Sequence, residues 1–251
     1  MNLNAPIAIG NTAKIYLSED RIIKVFNDYL PDTESLYEAN KQRFAYSKGL
    51  PVPRVFDVTS INGKQAIIME YIQGRTIGDL LSENMERAEH YMNVSIDIQQ
   101  KIHTIAAVDS LEPMSEKLRR QIESAPNLDE KHKLYLIQKL DSIPFENRLC
   151  HGDFHLFNLI ISEQNKVTTI DWVDSSAGDI RADIYRTYLL YSQLSVKLAD
   201  MYLRMYLEKS RMSKEEIFQW APIIAGARLS ENVSSESSER LMNIINDYCP
   251  L

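Results

Sequence analysis

Cysteine is almost missing: Cys150 and Cys249 are the only two in 251 residues. Their separation matches no metal-ligand spacing, so neither a disulfide framework nor a zinc site is expected. Cys150 stands beside His151, as a nucleophilic thiol would, but a small buried apolar filler is the plainer reading. Long apolar runs are missing as well. No stretch approaches the roughly 18 residues of a membrane-spanning helix, and the start, MNLNAPIAIGN, lacks the basic segment and apolar run of a secretion signal. A soluble, cytoplasmic chain with no membrane partner is expected. Positive charge is in deficit, with 28 Lys and Arg against 35 Asp and Glu and a net charge of −7. That balance argues against a general binder of phosphate backbones, so no nucleic acid partner is expected. What is present is an apolar content of 44%, enough to bury the core of one larger domain or two small lobes.

Periodicity divides the chain. PIAIG, AKIYLS, RIIKVF, RVFDVT and QAIIMEYI read as strands, with a helix near residues 33–48 that Gly49, Pro51 and Pro53 bring to an end. Turn signals at residues 18–20 and at Asn62-Gly63 predict hairpins. After QGRTIG the pattern turns helical. Tyr91, Val94, Ile98, Ile102 and Ile105 recur at spacings of three and four and predict one buried face over residues 86–105. Further helices are predicted near residues 129–140, 182–207, 213–224 and 235–246, with Ser213 and Glu216 as a capping box. Only HLFNLIIS and KVTTID interrupt with strand-like runs. The expected fold class is α+β and bilobal: residues 1–72 as an antiparallel sheet with one helix, residues 73–251 as a mainly helical lobe, and a ligand cleft between the two.

Polar residues at the edges of apolar runs carry the chemistry. In DRIIKVFND, Lys24 shares a strand face with Ile22 and Phe26. It is either a lysine snorkelling from an edge strand or a cation held for an anionic ligand, because an unpaired ammonium in such a place costs several kcal/mol. Glu38, in SLYEANKQ, is the candidate partner, or else an ordinary exposed helix glutamate. The stretch RLCHGDFHLFNLIIS places His151, Asp153 and Asn158 just ahead of an apolar run, and VTTIDWVD ends another at Asp171. Such a set is what phosphoryl transfer requires. Asp153 can orient an acceptor hydroxyl and take its proton. Asn158 and Asp171 offer the hard oxygens that Mg2+ prefers.

The motifs HGDFHLFN and IDW, with IIKVF, YEANKQRFAYSKGLPVPRVF and MEYIQGRTI in the same order, resemble the aminoglycoside phosphotransferase and choline kinase family over residues 7–188. Those are small-molecule kinases related in fold to protein kinases. The resemblance implies a protein-kinase-like fold that binds a nucleotide, ATP or alternatively GTP, with Mg2+. It also implies adenine hydrogen-bonded to the backbone from Glu70 to Ile72, and a structural role for His151 in bracing the catalytic loop. The glycine-rich loop of protein kinases is reduced here to IGNTAKIY, with Gly10 its single glycine. Backbone amides of Asn11 to Ala13 could still cradle phosphate, since amides rather than glycines donate, and Gly10, Asn11 and Thr12 are the candidate nucleotide-binding residues of this turn.

Only a few residues separate Asp171 from Gly178-Asp179 and the next helix, which leaves no length for a peptide-docking segment. A small acceptor is expected in place of a protein. Asp174 and Glu231 are candidate contacts to it. Acidic residues outnumber basic ones over residues 229–251, through Glu231, Glu236, Glu239 and Asp247. They form either a solvated helix face or a wall for a cation. Tyr185, Tyr188 and Tyr191 form either core or an ammonium-binding box. Asp179 and Asp183 either add to the acidic surface or cap the helix and brace the loop. Three functions follow: a phosphotransferase acting on an amino sugar or amino alcohol, a regulatory nucleotide binder without transfer, and a protein kinase.

Overall fold

The computed structural model describes residues 3, 5–10, 12–107, 111–231, 233 and 236–249. The chain forms two compact units, one of Met1–Met85 with Leu156–Asp174, the other of Glu86–His155 with Ser175–Leu251.

The first unit is built on a five-stranded antiparallel sheet in the order β1-β2-β3-β5-β4. Its strands are β1 (Ala8–Ile9), β2 (Ala13–Ser18), β3 (Arg21–Phe26), β4 (Val55–Ile61) and β5 (Lys64–Glu70). The predicted hairpin turns are present. Glu19 takes φ 54°, and Asn62 and Gly63 take 52° and 81°, the left-handed pair that matches the twist of flanking strands. Alternation along β3 sends Ile22 and Phe26 toward Ala39 of α1 (Glu34–Ser47), with Ala13, Ile67 and Met69. Ile23 and Val25 pack on the other side with Ile61 and Ala66. A smaller sheet joins β6 (Arg75–Thr76), β8 (Leu159–Ile161) and β9 (Val167–Thr169) in the order β6-β8-β9. Helix α2 (Ile77–Glu83) follows β6, and its Thr76 cap accepts the Asp79 amide.

The second unit is helical: α3 (Ala88–His103), α4 (Met114–Ser124), α5 (Glu130–Ser142), α6 (Ile180–Leu194), α7 (Val196–Lys209), α8 (Lys214–Phe218), α9 (Ala221–Leu229) and α10 (Ser238–Tyr248). Two short strands, β7 (Arg148–Cys150) and β10 (Ser176–Gly178), pair antiparallel within it. Every residue of α9 is buried, and α4, α5 and α10 pack around it. The capping box at Ser213 and Glu216 is present. Among the described residues no helix is long and apolar enough to cross a membrane.

Several helical expectations needed correction. The single helix over residues 182–207 is two, because Ser195 turns extended (φ −162°, ψ 119°) and caps α7. Residues 213–224 also divide, at Gln219 and Trp220, ahead of Pro222 in the first turn of α9, where a missing N–H costs nothing. The buried face of α3 holds the expected Tyr91 and Ile102 but otherwise runs through Ala88, Met92, Ser95, Ile96, Gln99 and His103, while Val94, Ile98 and Ile105 are half-buried. Polar residues that make internal hydrogen bonds displaced the apolar count. Helices α2 and α4 and strands β6, β7 and β10 went unpredicted; the strands are two or three residues long, too short for periodicity to register.

Candidate active site

Within the first unit, β3 and α1 bring Lys24 and Glu38 together. Lys24 Nζ lies 2.6 Å from Glu38 Oε1 and 3.5 Å from Asp171 Oδ1. Glu38 is 2% exposed, so the ordinary surface-glutamate reading fails, and so does snorkelling for Lys24. Burial pulls the Lys24 ammonium down, but the charges of Asp171 and Glu38 outweigh it and hold its pKa above the ordinary lysine value. Burial pushes the Glu38 carboxyl up, partly countered by Lys24. Glu38 Oε2 is buried and has no hydrogen-bond partner among the described residues.

The β8–β9 hairpin sets Asn158 and Asp171 at one end. Leu159 pairs with Thr169, and the Ile170 amide donates to Asn158 O at 2.9 Å, so Asp171 is the next residue beyond that bond. Asp171 takes φ 62°, a left-handed conformation uncommon outside glycine that Asp and Asn tolerate best. Such strain is worth about 1–3 kcal/mol and persists where the surroundings enforce it. Two anchors do so here: buried Trp172 donates from Nε1 to Thr169 O at 3.1 Å, and Lys41 Nζ donates to Val173 O at 2.6 Å. Lys41 is 3% exposed and escaped the sequence reading, although it lies one helical turn past Glu38. An amide oxygen and a half-exposed carboxylate at one hairpin end fit the donor set of Mg2+.

At the turn between β1 and β2, Gly10 N–H is spent on Ala13 O at 2.9 Å, and Thr12 O accepts the Asn27 amide. Asn11 lies outside the described residues. Glu70 N–H donates to Arg54 O at 2.9 Å, and its carboxylate accepts the Arg54 amide at 3.1 Å. Tyr71 N–H donates to Asp20 O, which leaves Ile72 as the next backbone position past the sheet. Asp174 is half-buried just beyond Val173.

The second unit holds Asp153 on a loop tied by hydrogen bonds to α6 and to His151. Gly152 takes φ 81°, open to glycine without strain. The His151 and Gly152 amides donate to Asp183 at 3.3 and 2.7 Å. Asp183 is fully buried and also meets His103 Nε2 at 2.8 Å and Gln99 Nε2 at 3.4 Å. Burial raises its carboxyl, but the hydrogen bond and charge of His103 prevail and its pKa is lowered. The Asp153 amide donates to Nδ1 of buried His151 at 3.3 Å. Asp153 itself is a quarter exposed, with His155 Nε2 at 3.4 Å. Burial pushes its carboxyl up, yet the His155 hydrogen bond and the charges of His155, Arg186 and His151 hold it below the usual range. His155 and Arg186 were not picked out from the sequence; Arg186 reaches the loop only by tertiary contact, whereas His155 meets Asp153 two residues away.

The remaining candidates have structural partners. Glu231 accepts Arg186 Nη2 at 2.9 Å and Arg228, and Glu236 accepts Arg240 at 2.5 Å with Arg228 Nε at 3.6 Å. These two carboxylates are therefore largely neutralised. Tyr185 and Tyr188 pack on Phe218, and Tyr191 packs on Tyr202. Asp179 caps α6 and accepts Trp220 Nε1 at 3.1 Å. Cys150 is fully buried, and burial drives its thiol pKa well up, which argues against a nucleophile.

Comparison with known proteins gives this arrangement its relatives. Acyl-CoA dehydrogenase family member 11 of Homo sapiens is 26% identical over 180 residues, 61% of this chain and 23% of that protein. The Rattus norvegicus protein of the same name is 27% identical over 184 residues, again 61% and 23%. The chain thus spans under a quarter of the length of these relatives. A thermostable mutant of aminoglycoside phosphotransferase APH(4)-Ia, in ternary complex with AMP-PNP and hygromycin B, superposes with a TM-score of 0.70 at 13% identity, over 98% of this chain and 94% of that one. Choline kinase LicA from Streptococcus pneumoniae gives 0.67 at 17% identity, over 99% and 94%. At such identities the likeness establishes a kinase-like fold. The family model for the phosphotransferase enzyme family matches residues 5–218, most of the length, and the chain belongs to that family.

Proposed function

We propose that the protein is a small-molecule kinase that moves the γ-phosphoryl group of ATP to a hydroxyl. The observation that carries this reading is the buried Lys24, held by Glu38 and Asp171. A lysine so fixed presents a permanent cation to nucleotide phosphates, and its pair with a helix glutamate is a recurring part of kinase sites. Asn158 and Asp171 would hold Mg2+, which when bound neutralises charge on the β- and γ-phosphates. Ile72 and its neighbours offer backbone to adenine, and the turn at Gly10 and Thr12 lies at the phosphate end. Asp153 orients the acceptor hydroxyl and accepts its proton; its lowered pKa keeps it ionised at neutral pH.

The acceptor is small. Strand β10 begins at Ser176, so the chain after Asp171 enters a paired strand without building a peptide platform. Amine-bearing hydroxyl compounds head the candidates, supported by hygromycin B and choline in the names of the structural relatives. Asp174 is the carboxylate best suited to such a group. Glu231 is a weaker candidate, because two arginines already occupy it. The test is ATP consumption by the purified protein over a panel of amino sugars, amino alcohols and neutral sugars. Turnover on a generic protein with none on the panel would defeat the proposal.

A further inference from the structure

The peptide that joins Gly152 to Asp153 is held at both of its polar groups. Its N–H, on Asp153, donates to His151 Nδ1 at 3.3 Å, and its C=O, on Gly152, accepts Arg186 Nε at 3.1 Å. Arg186 lies three residues after Asp183 on α6, so one side of that helix grips the loop twice. Its side chain is 9% exposed, and a guanidinium so buried is tolerated where its donors are matched. The second match is Glu231, which follows α9 and also takes Arg228 and Gln121 Nε2. Rotation of this peptide plane would swing the Cα–Cβ bond of Asp153. The planar fork of arginine opposes that rotation where the single ammonium of lysine would do so less well.

We propose that Arg186 is a positioning residue for phosphoryl transfer, fixing the Gly152–Asp153 peptide and through it the Asp153 carboxylate, with Glu231 holding the guanidinium in place. This rests on Asp153 being the acceptor-orienting base. Charge supports the same role. Burial works to protonate Asp153, and Arg186 acts with His155 and His151 to keep it ionised.

The test compares Arg186→Met, Arg186→Lys and Asp153→Asn in the full chain, measuring turnover, nucleotide dissociation constant, thermal transition and the pH profile of turnover. Arg186→Met should lose about 10- to 100-fold in turnover, the size of one charge-assisted hydrogen bond lost from the positioning of Asp153. Nucleotide affinity should hold, and the acid limb of the profile should move up. Arg186→Lys should recover part of the turnover and return the acid limb, because it keeps the charge. Full turnover with an unmoved acid limb in Arg186→Met would overturn the inference. So would loss of nucleotide binding and thermal transition in both Arg186 variants, which would mark a structural residue. Unchanged turnover in Asp153→Asn would instead remove the reading of Asp153 on which the inference stands.

Discussion

Lys24 and Glu38 form a buried pair whose value depends on both members being present. Removing one partner of such a pair costs about 3–5 kcal/mol, while replacing both with apolar residues of similar size is often neutral. Glu38→Ala should therefore destabilise the protein strongly, and Lys24→Met with Glu38→Leu should recover much of the thermal stability while transfer stays lost. Chemical denaturation with an activity assay checks both halves. Equal stability of the single and double variants would show that the pair is not coupled. These residues were legible because strand alternation put Lys24 on an apolar face and the motif order named its partner. Lys41, His155 and Arg186 were not. Lys41 and Arg186 act on backbone carbonyls brought near by folding, which no local pattern marks, and His155, two residues from Asp153, carries no spacing that distinguishes it from a loop histidine.

At the scale of elements, α6 uses Asp183 to organise the loop that carries Asp153. A carboxyl whose pKa is lower folded than unfolded adds stability that is present above its unfolded value and lost as pH falls toward the folded one. Asp183 is such a group. Asp183→Asn should lower the melting temperature at neutral pH, and its deficit against wild type should shrink as pH falls below about 3.9, the ordinary aspartate value. A deficit independent of pH would argue against an ionised Asp183. The capping box of α8 is a separate, local device. Ser213→Ala should cost about 1 kcal/mol and leave turnover per folded molecule unchanged; a fall in turnover would tie α8 to the site. That cap could be read from sequence because both of its bonds are local. The break at Ser195 could not, since the apolar pattern runs on across it and only packing separates α6 from α7.

For the whole molecule, the strand-rich start, the helical remainder and the residues of the two loops were all written in order along the chain. Asn158 and Asp171 were recognised because each ends or precedes an apolar run, and the β8–β9 register then sets them at one hairpin end. The acidic character near the C-terminus was a poorer guide. Charge counted along residues 229–251 missed Arg186 and Arg228, which lie outside that range and take up Glu231. Acceptor choice is therefore expected to depend less on ionic strength than an open wall of carboxylates would make it. The central claim is phosphoryl transfer with Asp153 as base, and the most direct measurement is paired: Mg2+-dependent γ-phosphoryl transfer to a panel of small hydroxyl compounds, and nucleotide affinity, each for wild type and Asp153→Asn. The account predicts a phosphorylated small-molecule product from wild type. It predicts that the variant keeps its nucleotide affinity while turnover falls by about 10²–10⁴, as for loss of a general base. Equal turnover in the two proteins, or transfer to a generic protein with none to the panel, would contradict it.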